Sequence, residues 1–169
     1  MTAAMYSFTA PTDAGTAETW RELSAAADAL TEGEPDAVAN MANVAALIWQ
    51  FVPRLNWAGF YRVIAKDGGL FELVLGPFVG KPACIRIAMG AGVCGTAAQD
   101  GKTQLVRDVH AFPGHISCDA ESASELVVPV LRDGVVIAVI DLDSPDVARF
   151  DADDAAGLEA LAKAIADRI

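Results

Sequence analysis

Cationic groups are scarce in this chain: 12 Lys and Arg stand against 23 Asp and Glu, a formal net charge of −11. Nucleic-acid binding draws on clustered Lys and Arg, so small molecules or proteins are the expected partners instead. No continuous apolar run reaches the ~18 residues that a membrane span needs, although 53% of the residues are hydrophobic. The first basic residue is Arg21, and no apolar block precedes it, which argues against a secretory signal or an Arg-rich transit peptide. A cytoplasmic location is the expectation. Cysteine is also sparse: Cys84, Cys94 and Cys118 are the whole complement, and all three lie between Lys81 and Glu125. Three thiols cannot all pair. In a reducing compartment any disulfide among them is transient, serving catalysis or sensing rather than structure.

What is present reads as one domain, residues 16–169, behind an irregular extension of residues 1–15. Trp20, Leu23, Ala27 and Leu30 recur at helical spacing over residues 16–30, with Thr16 as a possible cap. A second helix starts with Pro35 as its first residue and places Val38, Met41, Val44, Ala45 and Ile48 on one face. From Leu55 the period drops to two, then Lys66-Asp67-Gly68-Gly69 makes a turn before residues 70–75, which gives a hairpin. A short strand is expected to contain Cys84, and the glycines around Cys94 lead into a helix over residues 96–99. Residues 103–106 form a brief strand, and residues 108–122 show no regular period. Strands over residues 125–131 and 135–142 flank Asp133-Gly134, a hairpin turn, and a final helix covers residues 151–169. The expected fold is α+β: a central antiparallel sheet with the N- and C-terminal helices packed on one side.

Particular residues carry more information than the element order. They are Asn56-Trp57-Ala58-Gly59-Phe60-Tyr61, the run from Leu75 through Cys84 to Ile87, Gly92-Val93-Cys94-Gly95-Thr96-Ala97, Asp108-Val109-His110 and Gly114-His115-Ile116-Ser117-Cys118-Asp119. Ser124-Glu125, Asp141-Leu142-Asp143-Ser144 and Arg149-Phe150 complete the pattern. Together, over roughly residues 20–161, the chain resembles the GAF-fold free methionine-(R)-sulfoxide reductases. The resemblance implies thioredoxin-dependent reduction of free methionine R-sulfoxide by a cytoplasmic protein that is commonly a homodimer.

Reducing a sulfoxide calls for a thiolate nucleophile, a second thiol and a proton donor. Cys118 lies in the irregular stretch, where a backbone can present a thiol to a pocket. His115 there favours the thiolate, while Asp119 and Glu121 oppose it. Cys118 is therefore the candidate nucleophile. The resemblance makes Cys84 its resolving partner, and Cys94 an auxiliary or alternate resolver beside a helix start. Taken alone, Cys84 in an apolar strand reads as a small buried hydrophobe, and Cys94 is open between packing and chemistry. No Cys-x-x-Cys knuckle exists, so zinc held by the three cysteines is disfavoured, and no metal or cofactor is expected. His110 and His115 read as loop-ordering groups, and Gly90-x-Gly92-x-x-Gly95 is a poor phosphate loop because no βαβ context surrounds it.

Glu125 begins one hairpin strand and Asp141 and Asp143 end the other, which brings the three to one end of the sheet. Converging acids repel, so at least one retains a proton for the sulfoxide oxygen, or else the group holds the substrate ammonium. The alternative for strand-end acids is simple exposure to water. Trp57 and Tyr61, four apart on a strand, share a face and would wall the pocket around the S-methyl group. Two rival functions remain: a stand-alone GAF sensor that binds a small molecule without turnover, and a peroxide-responsive thiol switch.

Overall fold

The structure is a computed structural model that describes residues 7–10, 16–116 and 119–169. Helices α1 (Thr16–Thr31) and α2 (Ala37–Phe51) precede strands β1 (Trp57–Ala65), β2 (Phe71–Gly80) and β3 (Arg86–Ala88). Helix α3 (Gly92–Asp100), strands β4 (Gln104–Val106), β5 (Ser124–Arg132) and β6 (Val135–Ser144), and helix α4 (Ala152–Ile165) follow. The six strands form one sheet in the order β3-β2-β1-β6-β5-β4, with every neighbouring pair antiparallel. The expected α+β architecture is the observed one.

Strand alternation gives the sheet two apolar faces. Ala58, Phe60, Leu126, Val128, Ile140 and Leu142 point to one side, where α1, α2 and α4 cover them. Trp57, Tyr61, Val127 and Val139 point to the other, against Val93, Cys94, Ala97 and Ala98 of α3. The expectation that the terminal helices share one side is met, and α3 closes the opposite side.

Local chemistry explains the element ends. Helix α2 begins at Ala37 rather than at Pro35, because Asp36 caps it: its side chain accepts from the Ala39 amide at 2.9 Å. Val38 then points to solvent at 54% exposure, while Met41, Val44, Ala45 and Ile48 are buried as their spacing requires. Asp133 and Gly134 both have positive φ, 51° and 79°, the pattern of a type I′ turn between β5 and β6. Asp151 and Asp154 form a reciprocal capping box on α4. Asp154 also accepts from Trp20 Nε1 at 3.0 Å and from Arg149 Nη1 at 2.9 Å, which fixes α1 on α4.

Gly157 lies directly beneath Trp20. A Cβ there would stand 2.2 Å from Trp20 Cγ and 2.5 Å from its Cβ. Gly157→Ala is expected to destabilise the fold by about 1–3 kcal/mol through overpacking, despite alanine's better helix propensity. Denaturant unfolding of the two proteins measures this; a variant as stable as its parent would show that α1 and α4 separate freely.

Candidate active site

Register brings the acidic and aromatic residues together. On the α3 side of the sheet Trp57 faces Asp143 across β1 and β6, and Asp143 faces Glu125 across β6 and β5. One row further along, Gly59 faces Asp141, so no side chain from β1 covers that carboxyl. Gly59 is required for another reason as well: a Cβ there would meet Phe78 Cβ at 2.4 Å and Phe78 Cα at 2.8 Å. Tyr61 stacks on Trp57 with centroids 5.8 Å apart, and Phe78 stacks on the indole at 5.3 Å. These groups, with α3 and the loops around Lys81 and His115, line a cavity that opens to solvent.

Seven of the eight site residues expected from sequence lie at or beside this cavity. Trp57, Tyr61, Cys94, Glu125, Asp141 and Asp143 line it, and Cys84 follows the lining residues Pro82 and Ala83. The eighth, Cys118, is outside the described residues. Cys84 does not stand in a strand, because β3 begins only at Arg86; it occupies the connection after Pro82, whose missing amide hydrogen cannot support pairing. Cys84 is disulfide-bonded and Cys94 is a free, buried thiol.

The helix carrying Cys94 starts at Gly92 rather than at residue 96, which places the thiol inside the first turn. Its location there does not activate it. Burial, the largest influence, and the charges of Asp141 and Glu125 push its thiol well above the usual range. A helix start favours a thiolate, but here desolvation beside two acids acts in the opposite direction and is the larger influence.

Burial dominates the carboxyl cluster too. It raises Glu125, with the charge of Asp143 adding to the effect and a hydrogen bond with Asp141 opposing it. It raises Asp141, assisted by Glu125. Asp143 is raised by burial and then by Asp141, with a Ser122 hydrogen bond acting the other way. Glu125 and Asp141 are each 6% exposed, and Asp143 is more open, nearer the mouth. Simple exposure of strand-end acids to water is thereby overturned: the hairpin turns them inward. Asp141 Oδ1 is buried without a hydrogen-bond partner.

His115 Nε2 lies 3.4 Å from Glu125 Oε2, yet burial lowers the imidazole pKa. Burial raises Glu125 and lowers His115, so it biases both partners toward their neutral forms. His110 instead closes a loop turn on Asp108 at 2.9 Å.

Several residues at the mouth carry no periodic signal in the sequence. Lys81 pairs with Asp119 at 3.2 Å and with Glu121. Asn56 Nδ2 donates to Ser122 Oγ at 3.0 Å. Trp57 Nε1 donates to the Lys81 carbonyl at 3.2 Å, so the indole anchors the segment that leads to Cys84. Among the described lining residues, four carboxyls face one ammonium, Lys81.

Glu125, Asp141 and Asp143 bind protons more tightly when folded than when unfolded. Their contribution to stability is fully present below the ordinary carboxyl range and is lost as pH rises through their raised folded values. Glu125→Gln is therefore expected to flatten the pH dependence of thermal unfolding and to exceed its parent's Tm above neutrality, by about 2–4 °C for each kcal/mol of repulsion removed. Melting curves at acid and alkaline pH test this, and parallel parent and variant profiles would refute it.

The sheet order and the cavity on the α3 side define the class: residues 38–169 match the GAF domain model. A curated relative from Saccharomyces cerevisiae, free methionine-R-sulfoxide reductase, is 45% identical over 88% of this chain and 84% of its own length. The solved structure of free methionine-R-sulfoxide reductase from Neisseria meningitidis in complex with its substrate is 41% identical, with a TM-score of 0.90 over 97% of this chain and 95% of that one. A putative GAF sensor protein from Burkholderia vietnamiensis is 56% identical, with a TM-score of 0.84 over 92% of this chain and 96% of that one. The chain belongs to the GAF-domain family and, within it, to the free methionine-R-sulfoxide reductases, which are oxidoreductases.

Proposed function

We propose that this protein reduces free L-methionine (R)-S-oxide to methionine in the cytoplasm. The observation that carries the reading is the pair of buried acids, Glu125 and Asp141, beside stacked Trp57 and Tyr61 in one cavity. Asp143, nearer the mouth, receives the substrate ammonium, a group that a methionine within a peptide lacks. The S-methyl group lies against the aromatic wall, and the sulfoxide oxygen meets the protonated carboxyls.

The Cys118 thiolate attacks the sulfoxide sulfur as a carboxyl protonates its oxygen. Oxygen passes to the cysteine, giving methionine and a cysteine sulfenic acid, so the substrate is reduced and Cys118 oxidised. The Cys84 thiol condenses with that acid, its sulfur attacking the Cys118 sulfur while its proton leaves with the hydroxyl as water, and forms a disulfide, which thioredoxin reduces by dithiol exchange. A disulfide at Cys84 beside a free, buried and unactivated Cys94 supports Cys84 over Cys94 as resolver. By the family resemblance the working form is a homodimer.

The test mixes reduced protein with free methionine R-sulfoxide and no thioredoxin. One methionine per chain with loss of two thiols is expected, and thioredoxin restores turnover. Saturable binding without methionine formation would favour the sensor reading. Loss of the same thiols to peroxide but not to sulfoxide would favour the switch.

A further inference from the structure

The proposed reaction gives Cys94 no step, yet its thiol shares the cavity with Glu125 and Asp141. One ligand atom from each, the sulfur and two carboxylate oxygens, lie within 4.8 Å of one another, and all three residues are buried. A zinc-sized ion with bonds of about 2.3 Å to sulfur and 2.0–2.2 Å to oxygen holds such atoms about 3.4–3.7 Å apart. Side-chain rotation of about an ångström closes that difference. Asp141 Oδ1 independently calls for a ligand, since it is buried, lacks a hydrogen-bond partner and belongs to a residue lining the cavity.

We propose that Cys94, Glu125 and Asp141 form a binding site for one borderline-soft divalent cation of the zinc class, which excludes the sulfoxide from the cavity. Sulfur with two carboxylates selects against magnesium and calcium, which take oxygen alone. Three protein ligands leave a fourth tetrahedral position for water on the cavity side. On ligation the cation replaces the protons of the thiol and acids, so the groups the reduction needs for proton transfer are occupied. The exclusion rests on the substrate placement proposed above; the cation site itself does not.

Co²⁺ titration of the full chain carrying Cys84→Ser and Cys118→Ser, which leaves Cys94 as its one cysteine, tests both parts. One equivalent is expected to bind with a thiolate-to-cobalt absorption band, and Zn²⁺ should displace it. The band should vanish when Cys94→Ser is added, and Asp141→Asn should weaken binding by at least about tenfold. Free methionine sulfoxide, which a variant without Cys118 does not reduce in the scheme proposed above, should raise the apparent Co²⁺ dissociation constant in proportion to its concentration. No band, or a band that survives the loss of Cys94, overturns the site. A band indifferent to sulfoxide overturns the exclusion. Turnover by the unaltered protein is measured separately, so failure of the reductase reading remains distinguishable from failure of the cation site.

Discussion

Replacing Cys118 by serine is expected to lower the turnover of free methionine sulfoxide by on the order of 10³-fold or more, with substrate binding retained. A serine hydroxyl is a poor nucleophile toward sulfur and cannot form the sulfenic acid from which the disulfide grows. The acids and aromatics proposed to receive the substrate stand on β1, β5 and β6, so their arrangement does not depend on this loop side chain. Cys84→Ser is expected to behave differently: it forms one methionine per chain and then stalls, because oxygen transfer precedes resolution. Rapid-quench measurement of methionine separates the two, with no burst for Cys118→Ser and a full burst for Cys84→Ser. Normal turnover by Cys118→Ser would remove the nucleophile from the scheme.

Glu125→Gln is expected to reduce kcat by about 10²-fold, the usual contribution of a positioned general acid. Glu125 is 6% exposed, with its pKa raised by burial and by Asp143, so it holds its proton to higher pH than an exposed carboxyl does. The amide preserves shape and removes that proton, and the alkaline fall of the parent's activity should disappear with it. Asp143→Asn should instead raise KM while leaving kcat nearly unchanged, since Asp143, the most exposed of the three acids, is the proposed partner of the substrate ammonium. Steady-state kinetics across pH distinguishes these cases. A Glu125→Gln enzyme with altered KM and normal kcat would reassign the buried acid to substrate binding.

Much of this site is legible from alternation. Trp57 and Tyr61 are four apart, Asp141 and Asp143 two apart, and Asp133-Gly134 fixes the hairpin register, so period-two geometry alone puts the acids at one sheet end. Helical spacing likewise anticipates the buried face of α4, where Leu158, Leu161, Ala162 and Ile165 are all buried. The glycines around Cys94 mislead, because glycine in sequence reads as a helix breaker. Position 95 in this helix has to be glycine because a Cβ would stand 2.4 Å from the Ala88 carbonyl oxygen, a close approach visible only once β3 and α3 are packed together.

The sequence by itself determined most element types, the antiparallel sheet with the terminal helices on one side and the residues that mark the family, because these follow from periodicity and short-range turn chemistry. Tertiary structure decided which groups are charged. Whether Glu125 and Asp141 face water or one another, whether Cys94 is activated or silent, and whether His115 carries a proton all depend on burial and on neighbours far away in the chain. Desolvation is a property of the assembled cavity, and no local pattern of residues encodes it.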